Sequence, residues 1–172
     1  MYAEIAPNGH LQVDDAEISF RNFAGVEKEY NRAGDRNFSL VIRDPEYAQY
    51  LIELGWNVRI KPPRNEGDDP YCHLPVKVQY GTPFPLTIKL VRPGMRPIEL
   101  TEETVGCLDH MDIERIDMDI RPHDWVMHEG KPHEKCGRTA KLETLYVTKR
   151  VNRFAERYEN FPLDEESPFD FE

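Results

Sequence analysis

Short segments in which apolar residues alternate with polar ones recur along the chain, and they predict a protein built mainly from β-strands. The clearest example is residues 116–121, where Ile116, Met118 and Ile120 alternate with charged residues. We expect six or seven strands, mostly joined by short turns. The segments with this pattern are residues 13–24, 36–43, 56–61, 71–80, 86–91, 116–121 and 141–148.

Two short helices are expected between these strands. The first opens at Asp44-Pro45-Glu46, where the Asp can cap free amides and the Pro suits the first helical position, and it ends at Gly55. The second opens at Thr101, with a Thr-Glu-Glu-Thr sequence that is similar to a capping box.

These elements predict a small antiparallel β-barrel, because closing the sheet removes its unpaired edges. The expected class is an OB-fold-like barrel with one or two inserted helices, spanning residues 1–158. Residues 1–12 are expected to be a mobile or loosely paired arm, residues 62–70 a loop, and residues 123–138 a polar, histidine-rich loop. Residues 159–172 are expected to form a disordered acidic tail.

The length of 172 residues fits one domain with a tail better than two domains. No apolar run approaches the roughly 18 residues of a membrane span, and the N-terminus carries no secretory signal pattern. The cysteines Cys72, Cys107 and Cys136 are odd in number and widely spaced. We therefore expect no disulfide framework, and we expect a cytoplasmic location.

The net charge of −10 at first argues against a nucleic-acid partner, but the charge is unevenly distributed. Residues 159–172 contain six acidic residues and no Lys or Arg, which leaves a net charge of −4 on residues 1–158. A nucleic-acid-binding face on this mildly acidic body must therefore be a local basic stripe.

The segment from Ile18 to Ile42 carries the candidate chemistry. Two β-type runs each contain an Arg-Asn-Phe triplet, at residues 21–23 and 36–38, and a polar loop with glycines joins them, which predicts a β-hairpin. Aromatic rings can stack on the bases of a single strand, while Arg neutralises phosphate or stacks on a base. The alternative is a hairpin whose Phe residues face a core and whose Arg residues face water.

The same segment resembles a known family, the phage-encoded single-stranded DNA-binding proteins with an OB-fold. The resemblance covers residues 13–150 and is most specific in residues 20–38. It implies a non-enzymatic protein that coats single-stranded DNA during replication, recombination or repair, without a cofactor, in the host cytoplasm. The matching segments are Phe20-Arg21-Asn22-Phe23-Ala24-Gly25, Tyr30-Asn31-Arg32, Gly34-Asp35-Arg36-Asn37-Phe38, Gly55-Trp56-Asn57-Val58, Val76-Lys77-Val78, Ile120-Arg121-Pro122 with Trp125, and Leu145-Tyr146-Val147-Thr148.

Aromatic and basic side chains on the expected strands are the candidates for DNA binding. Phe20 and Phe38 are the aromatic candidates for which a core position is the strongest alternative. The full set is Phe20, Arg21, Phe23, Tyr30, Arg32, Arg36, Phe38, Trp56, Arg59, Lys61, Lys77, Tyr80 and Lys89.

The C-terminal segment resembles the acidic tails of bacterial and phage single-strand binders. Such tails recruit replication and repair proteins and compete with DNA for the basic groove. Phe171 is penultimate here rather than terminal, which departs from that pattern, and an ordinary solvated tail is the alternative. A homodimer is a further expected form of the protein. The tail candidates are Asp164, Glu165, Glu166, Phe169, Asp170 and Phe171.

A zinc site is a weaker hypothesis. His123, His128, His133 and Cys136 lie close in sequence and are all zinc-ligand types, but their spacing matches no finger or ribbon. A polar loop without metal is therefore the default expectation for this segment.

Two other functions remain open. The acids Asp109, Asp112, Glu114, Asp117 and Asp119 form a dense group that a metal-dependent nuclease could use, although the last two fit the wet face of a strand. A β-rich virion or assembly protein is the other alternative. No phosphate loop or nucleophile elbow occurs, so we expect no enzymatic activity.

Overall fold

The strands of the protein follow the alternating segments of its sequence and assemble into one sheet. The computed structural model describes residues 1–152 and 154. Within residues 1–152, helical structure is limited to α1 (Pro45–Glu53) and a 3-10 helix (Val105–Asp109). The strands are β1 (Tyr2–Ile5), β2 (Leu11–Asp14), β3 (Glu17–Asn22), β4 (Arg36–Ile42), β5 (Arg59–Lys61), β6 (Tyr71–Val78), β7 (Thr87–Val91), β8 (Ile98–Glu99), β9 (Ile113–Met127) and β10 (Lys135–Lys149).

The main path of the sheet runs β1-β2-β9-β10-β6-β4-β3, with β5 paired to β6, and β7 paired to β10 and β8. Most neighbours are antiparallel, but β10 runs parallel to both β6 and β7. The mainly β class is confirmed, while the sheet is mixed rather than wholly antiparallel. The reason is that the hairpin with β9 sets the direction of β10, whatever strand lies on its other side.

The path is also open rather than closed. Within residues 1–152, β1 and β3 at its two ends do not pair with each other. A backbone hydrogen bond of 2.7 Å from Ala16 N to Ile116 O brings the start of β3 back to β9, which curls this end of the sheet. The name OB-fold stays a prediction.

Alternating residues of the strands build the core on the inner face of the sheet. On β6, for example, Cys72, Leu74, Val76 and Val78 are all buried. Each such apolar side chain contributes about 1.5–3 kcal/mol when it is fully buried. The intervening residues of each strand form the opposite face, which we call the outer face.

Helix α1 begins as the sequence predicts. The Asp44 carboxylate accepts a hydrogen bond of 3.0 Å from Glu46 N, and Pro45 is the first helical residue. The second predicted helix is reduced to the 3-10 helix, where Gly106 lies so close to Ala24 that a Cβ would approach the Ala24 Cβ to 3.1 Å. No helix among the described residues has both the length and the apolar character needed to span a membrane.

The predicted loop at residues 123–138 is wrong over most of its length. β9 and β10 continue as a hairpin as far as the pair Met127 and Lys135. Beyond Pro122 and Ala140 these two strands pair with each other and cover no core, so polar residues lie on both faces. The alternation by which strands were recognised is absent there for that reason.

The N-terminal arm is also more firmly held than the sequence predicts. β1 and β2 form a hairpin, and β2 pairs with β9. Leu11 and Val13 are fully buried, and their burial anchors the arm. Two inward side chains are too few for periodicity to predict this strand.

Candidate nucleic-acid interface

The outer face carries a row of three cations, which we call the cation row. Lys77 on β6 lies beside Lys141 on β10, and Lys141 lies opposite Arg121 on β9. None of the three forms a salt bridge with any described residue. Like charges placed side by side destabilise a sheet. The cation row is therefore a concentration of positive charge that favours a bound anion.

Two basic groups, one in the cation row and one beside it, have lowered pKa values. Burial lowers the pKa of Lys141, and the charges of Arg121 and Lys77 lower it further. The pKa of His123, also on β9, is lowered by desolvation and then by Lys141 and Arg121. In both cases burial is the larger cause, and the adjacent positive charges add to it because a further positive charge beside them is unfavourable.

Aromatic rings flank the cation row. The guanidinium carbon of Arg121 lies 3.7 Å from the centroid of the Phe84 ring, a cation–π contact on a half-exposed ring. On the β9–β10 hairpin, Trp125 lies opposite Gly137, where a Cβ would come within 2.5 Å of the indole carbon Cζ2. The indole therefore covers the backbone of Gly137, which only a glycine allows.

Phe20 lies on β3, at the far end of the sheet path. The strand has a bulge between Ser19 and Asn22, and Phe20 there has a φ of 52°. This left-handed conformation costs a bulky residue about 1–2 kcal/mol. The Phe20 ring is 66 % exposed, and the Lys61 Nζ lies 5.5 Å from its centroid. The bulge thus directs the ring into solvent rather than into the core.

β5 adds basic residues beside this ring. Arg59 pairs in register with His73 of β6, and Lys61 pairs with Tyr71. Burial, followed by the charges of Lys61 and Arg59, lowers the pKa of His73. His73 Nδ1 lies 3.1 Å from the Ser39 hydroxyl, whereas its buried Nε2 has no hydrogen-bond partner within the described residues.

The loop between β3 and β4 brings Tyr30 to the same surface, where its side chain is 93 % exposed. A cleft of about 500 Å³ is lined by Tyr30, Phe20, Arg59 and Lys77. Aromatic rings and cations are thus interspersed on this part of the outer face. We call the region that contains Phe20, Tyr30, Arg59, Lys61 and the cation row the basic half. Such a surface offers stacking for bases and contacts for phosphates.

A family model described as "Putative phage ssDNA-binding domain" matches residues 3–172. The chain belongs to this family. The predicted family is thereby confirmed, and with it the binding of single-stranded DNA.

A solved structure shows the same fold. The single-stranded DNA-binding protein from bacteriophage Enc34 is similar to this chain with a TM-score of 0.50 and 11 % identity, over 90 % of this chain and 88 % of that chain. A C-terminal truncation of the Enc34 protein gives a TM-score of 0.49 and 13 % identity, over 87 % and 91 %. No curated protein matches.

Three aromatic candidates lie in the core of this phage ssDNA-binding domain, so the structure contradicts their placement on the binding face. Phe23, Phe38 and Trp56 are buried, and the Phe23 and Phe38 rings stack with centroids 5.3 Å apart. Residues 20 and 23 lie on opposite faces of a strand in any case, and the bulge in β3 makes Phe20 the residue that is turned outward.

Arg21 has a structural role instead of a place on the basic half. Its Nη1 donates hydrogen bonds to the carbonyl oxygens of Leu108 and Met111, at 2.9 and 2.8 Å. These bonds tie β3 to the end of the 3-10 helix. The guanidinium is therefore already engaged.

Arg36 and Tyr80 pair with each other at the margin of the basic half. The Arg36 guanidinium carbon lies 5.8 Å from the centroid of the Tyr80 ring, and the Tyr80 hydroxyl donates to Leu100 O at 3.3 Å. Burial raises the pKa of Tyr80 to about 12. Both residues, with Lys77, line a cleft of about 430 Å³. They remain candidates for contacts at this margin.

The last two basic candidates differ in position. Arg32 lies in the loop that carries Tyr30, and its carbonyl accepts a hydrogen bond from Asp35 N at 3.1 Å. Lys89 on β7 pairs in register with Glu99 and lies beside Tyr146 of β10. Lys89 therefore lies away from the cation row, in a second region of the outer face. Acidic side chains predominate in that region.

We call that region the acidic half; Asp117, Asp119 and Thr144 line its cleft. The acids proposed for a nuclease do not converge on one site. Asp109 accepts a hydrogen bond of 2.6 Å from Phe23 N, and Asp117 pairs with Arg115 at 3.1 Å. The other contacts are Asp112 with Arg150 at 3.8 Å and Asp119 with His10 at 2.6 Å.

The four zinc candidates are also separated. His123 pairs with Thr139 and Cys136 with Val126, so the side chains of His123 and Cys136 emerge on opposite faces of the hairpin. The rings of His128 and His133 lie 4.3 Å apart at its turn. Among the described residues, the group of three metal-ligand types that does come together is instead His10, Asp119 and Glu143.

Several residues of the basic half were not predicted as DNA contacts. Arg121 and Lys141 become candidates only through the strand pairing, because this pairing places them in one row with Lys77. The strand parity of residues 121–125 could have placed Arg121, His123 and Trp125 on one face, had residues 123–138 not been assigned to a loop. The structure adds these residues as further candidates: Tyr71, His73, Phe84, Arg121, His123, Trp125 and Lys141.

Proposed function

We propose that the protein coats single-stranded DNA without sequence preference, through the basic half of its outer face. The cation row of Lys77, Lys141 and Arg121 carries this proposal. Three like charges in register lower the stability of the sheet unless an anion lies over them. A phosphate backbone supplies such an anion, and binding gains further from the release of its counterions.

Exposed rings complete the surface. The exposed rings of Phe20, Tyr30 and Phe84 and the partly buried indole of Trp125 offer faces on which bases can stack, each such contact contributing about 1–3 kcal/mol. Every base has a π-face, so stacking supports binding without a preferred sequence. Arg59, Lys61 and the cation row would neutralise phosphates between the stacked bases.

The test is fluorescence anisotropy of a labelled oligo-dT over a salt series, with a matched duplex for comparison. We expect tighter binding to the single strand, weakened by salt. The double variant Lys77→Gln/Lys141→Gln should bind at least about tenfold more weakly at low salt. The matched control, Lys89→Gln/Lys149→Gln, removes the same charge elsewhere and should stay within about twofold. No binding by the wild type, or equal losses in both variants, would contradict the proposal.

We also propose that the acidic tail at residues 159–172, which lies outside the described residues, engages replication or recombination proteins and competes with DNA. Its acids and the two phenylalanines near its end, Phe169 and Phe171, support this role. Ending the chain at Asn160 should raise the affinity for oligo-dT at low salt and abolish capture of a tail-binding partner. Unchanged affinity would remove the competition from the proposal.

The remaining parts of the proposal are that the protein acts without catalysis, in the host cytoplasm, and that it can form a homodimer. The separate engagement of the acids near Asp109 and Asp117 supports the first part. Incubation with single-stranded DNA and Mg²⁺ or Mn²⁺ should leave the DNA intact. Sedimentation equilibrium should show whether the 20.2 kDa chain doubles in mass.

A further inference from the structure

Two clefts of the outer face share Phe20 as a lining residue. One, of about 490 Å³, is lined by Phe20, Lys61, Tyr71 and the loop of residues 62–69. The other, of about 500 Å³, is lined by Phe20, Tyr30 and the segments around β4 and β6. No other residue lines both clefts. The Phe20 side chain is therefore a partition between two cavities.

Each cleft has what one nucleotide requires. The first contains an aromatic ring at Tyr71 and a cation at Lys61; the second contains a ring at Tyr30 and cations at Arg59 and Lys77. Both volumes fall in the range of sites that hold small ligands. A base could stack on the partition from either side while its phosphate meets a cation.

The base of the partition has an unused polar group. His73 is 6 % exposed, and the centroid of its ring lies 6.4 Å from that of Phe20. Its Nε2 has no hydrogen-bond partner within the described residues, although buried polar atoms are generally paired. His73 lines neither cleft, so this buried atom is a feature of the structure beside Phe20 and not a contact for a base.

The partition is also held in place. The bulge and the φ of 52° fix the direction in which Phe20 leaves the backbone. Backbone conformations of this kind are unfavourable and cluster at functional positions. Lys61, 5.5 Å from the ring centroid, supports the ring from β5.

We propose that Phe20 inserts between two successive bases of the bound strand and unstacks them, with one base in each cleft. The proposal rests on single-stranded DNA binding at the basic half and specifies what that site does to the strand. Insertion of an apolar side chain into a base step breaks its stacking and bends the nucleic acid. The strand therefore changes direction at Phe20, between β5 and the cation row.

Adjacent 2-aminopurines in a short oligo-dT test this insertion, because two stacked 2-aminopurines give an exciton-coupled circular dichroism signal. The pair is moved one position at a time along the oligonucleotide. We expect the wild type to abolish the signal at one or two positions, Phe20→Ala to leave it intact at every position, and Phe20→Tyr to abolish it again. Tyr2→Ala, which removes an exposed ring at the other end of the sheet path, is the control and should behave as the wild type.

The outcomes separate this proposal from the function on which it rests. If the wild type binds the oligonucleotide but its signal matches that of Phe20→Ala at all positions, insertion is overturned while DNA binding stands. If the wild type does not bind in the anisotropy assay, both are overturned. Far-ultraviolet spectra of the variants verify that each is folded.

Discussion

Phe20 occupies a backbone conformation in which an aromatic residue is disfavoured, and its ring is mostly in solvent. Neither feature helps the fold, since the conformation costs free energy and the exposed ring recovers little by burial. Phe23, three residues later, shows the opposite balance in the core. Of these two residues of the same type, Phe23 therefore serves stability, whereas Phe20 is the one that we propose for binding.

Phe20→Asn should separate these contributions. Asn adopts the left-handed region at little cost, so we expect the free energy of unfolding to be unchanged or raised by up to about 1 kcal/mol. Affinity for oligo-dT should nevertheless fall. Urea unfolding and anisotropy measure the two effects. Phe23→Ala is the matched comparison and should lose about 3–5 kcal/mol of stability; a loss above about 1 kcal/mol in Phe20→Asn would contradict the argument.

His73 predicts a pH dependence of stability. Its pKa is lowered in the folded protein by burial and by the charges of Lys61 and Arg59, so below about pH 6.5 the unfolded chain takes up the proton first. Stability should therefore fall as the pH drops through 6.5 and stay level above it. Unfolding curves at several pH values should show a smaller loss for His73→Asn than for the wild type. His128→Asn, in the hairpin turn, should retain the full loss.

The cation row depends on three strands at once. β6 and β10 run parallel while β9 and β10 form a hairpin, and only this combination places Lys77, Lys141 and Arg121 side by side. Such an arrangement lowers the stability of the sheet and raises its affinity for an anion. Both effects can be measured on a single member of the row.

Lys141→Gln should stabilise the free protein and weaken its complex. Removing the middle charge relieves two repulsions, which we expect to raise the free energy of unfolding by about 0.5 kcal/mol at low salt. The slope of log affinity against log salt should become shallower by about 0.7, the effect of one lost phosphate contact on a single strand. Lys89→Gln, outside the row, should change neither quantity; a destabilised Lys141→Gln with an unchanged slope would refute the role of the row.

The sequence predicts elements where a strand covers the core and fails where it does not. Residues 71–80 and 116–121 alternate because one face is buried, and both are strands. The outer part of the β9–β10 hairpin covers no core, so its polar residues indicated a loop. The bulge at Phe20 leaves no periodic signal in the sequence. Without knowledge of the bulge, the sequence does not reveal which of Phe20 and Phe23 faces solvent. The family was nevertheless evident from short motifs, which survive such local errors.

On the scale of the whole molecule, the outer face is divided by charge. The basic half contains the cation row, and the acidic half contains Asp117 and Asp119 on the same strand as Arg121. A chain with a net charge of −10 can therefore bind a polyanion, because the local field, and not the sum, acts on the strand. The acidic half would direct the strand toward the basic half.

Two substitutions that each add one positive charge test this division of the outer face. Thr139→Lys adds a cation opposite His123 in the basic half, whereas Thr144→Lys adds one opposite Asp119 in the acidic half. Both raise the net charge by one on β10. We expect Thr139→Lys to strengthen oligo-dT binding several-fold at low salt and to steepen its salt dependence, while Thr144→Lys changes either by less than about twofold. Equal gains would mean that net charge decides affinity.

The repulsion within the cation row also bears on how long the protein survives. A ligand that binds only the folded chain stabilises it according to its concentration and affinity, and here the ligand also removes an internal repulsion. The DNA-free protein is then the form that opens more readily and is exposed to proteases, while the DNA-bound protein is protected. The supply of single strands would thus set the lifetime of the protein that covers them, and surplus copies would be the first to be degraded.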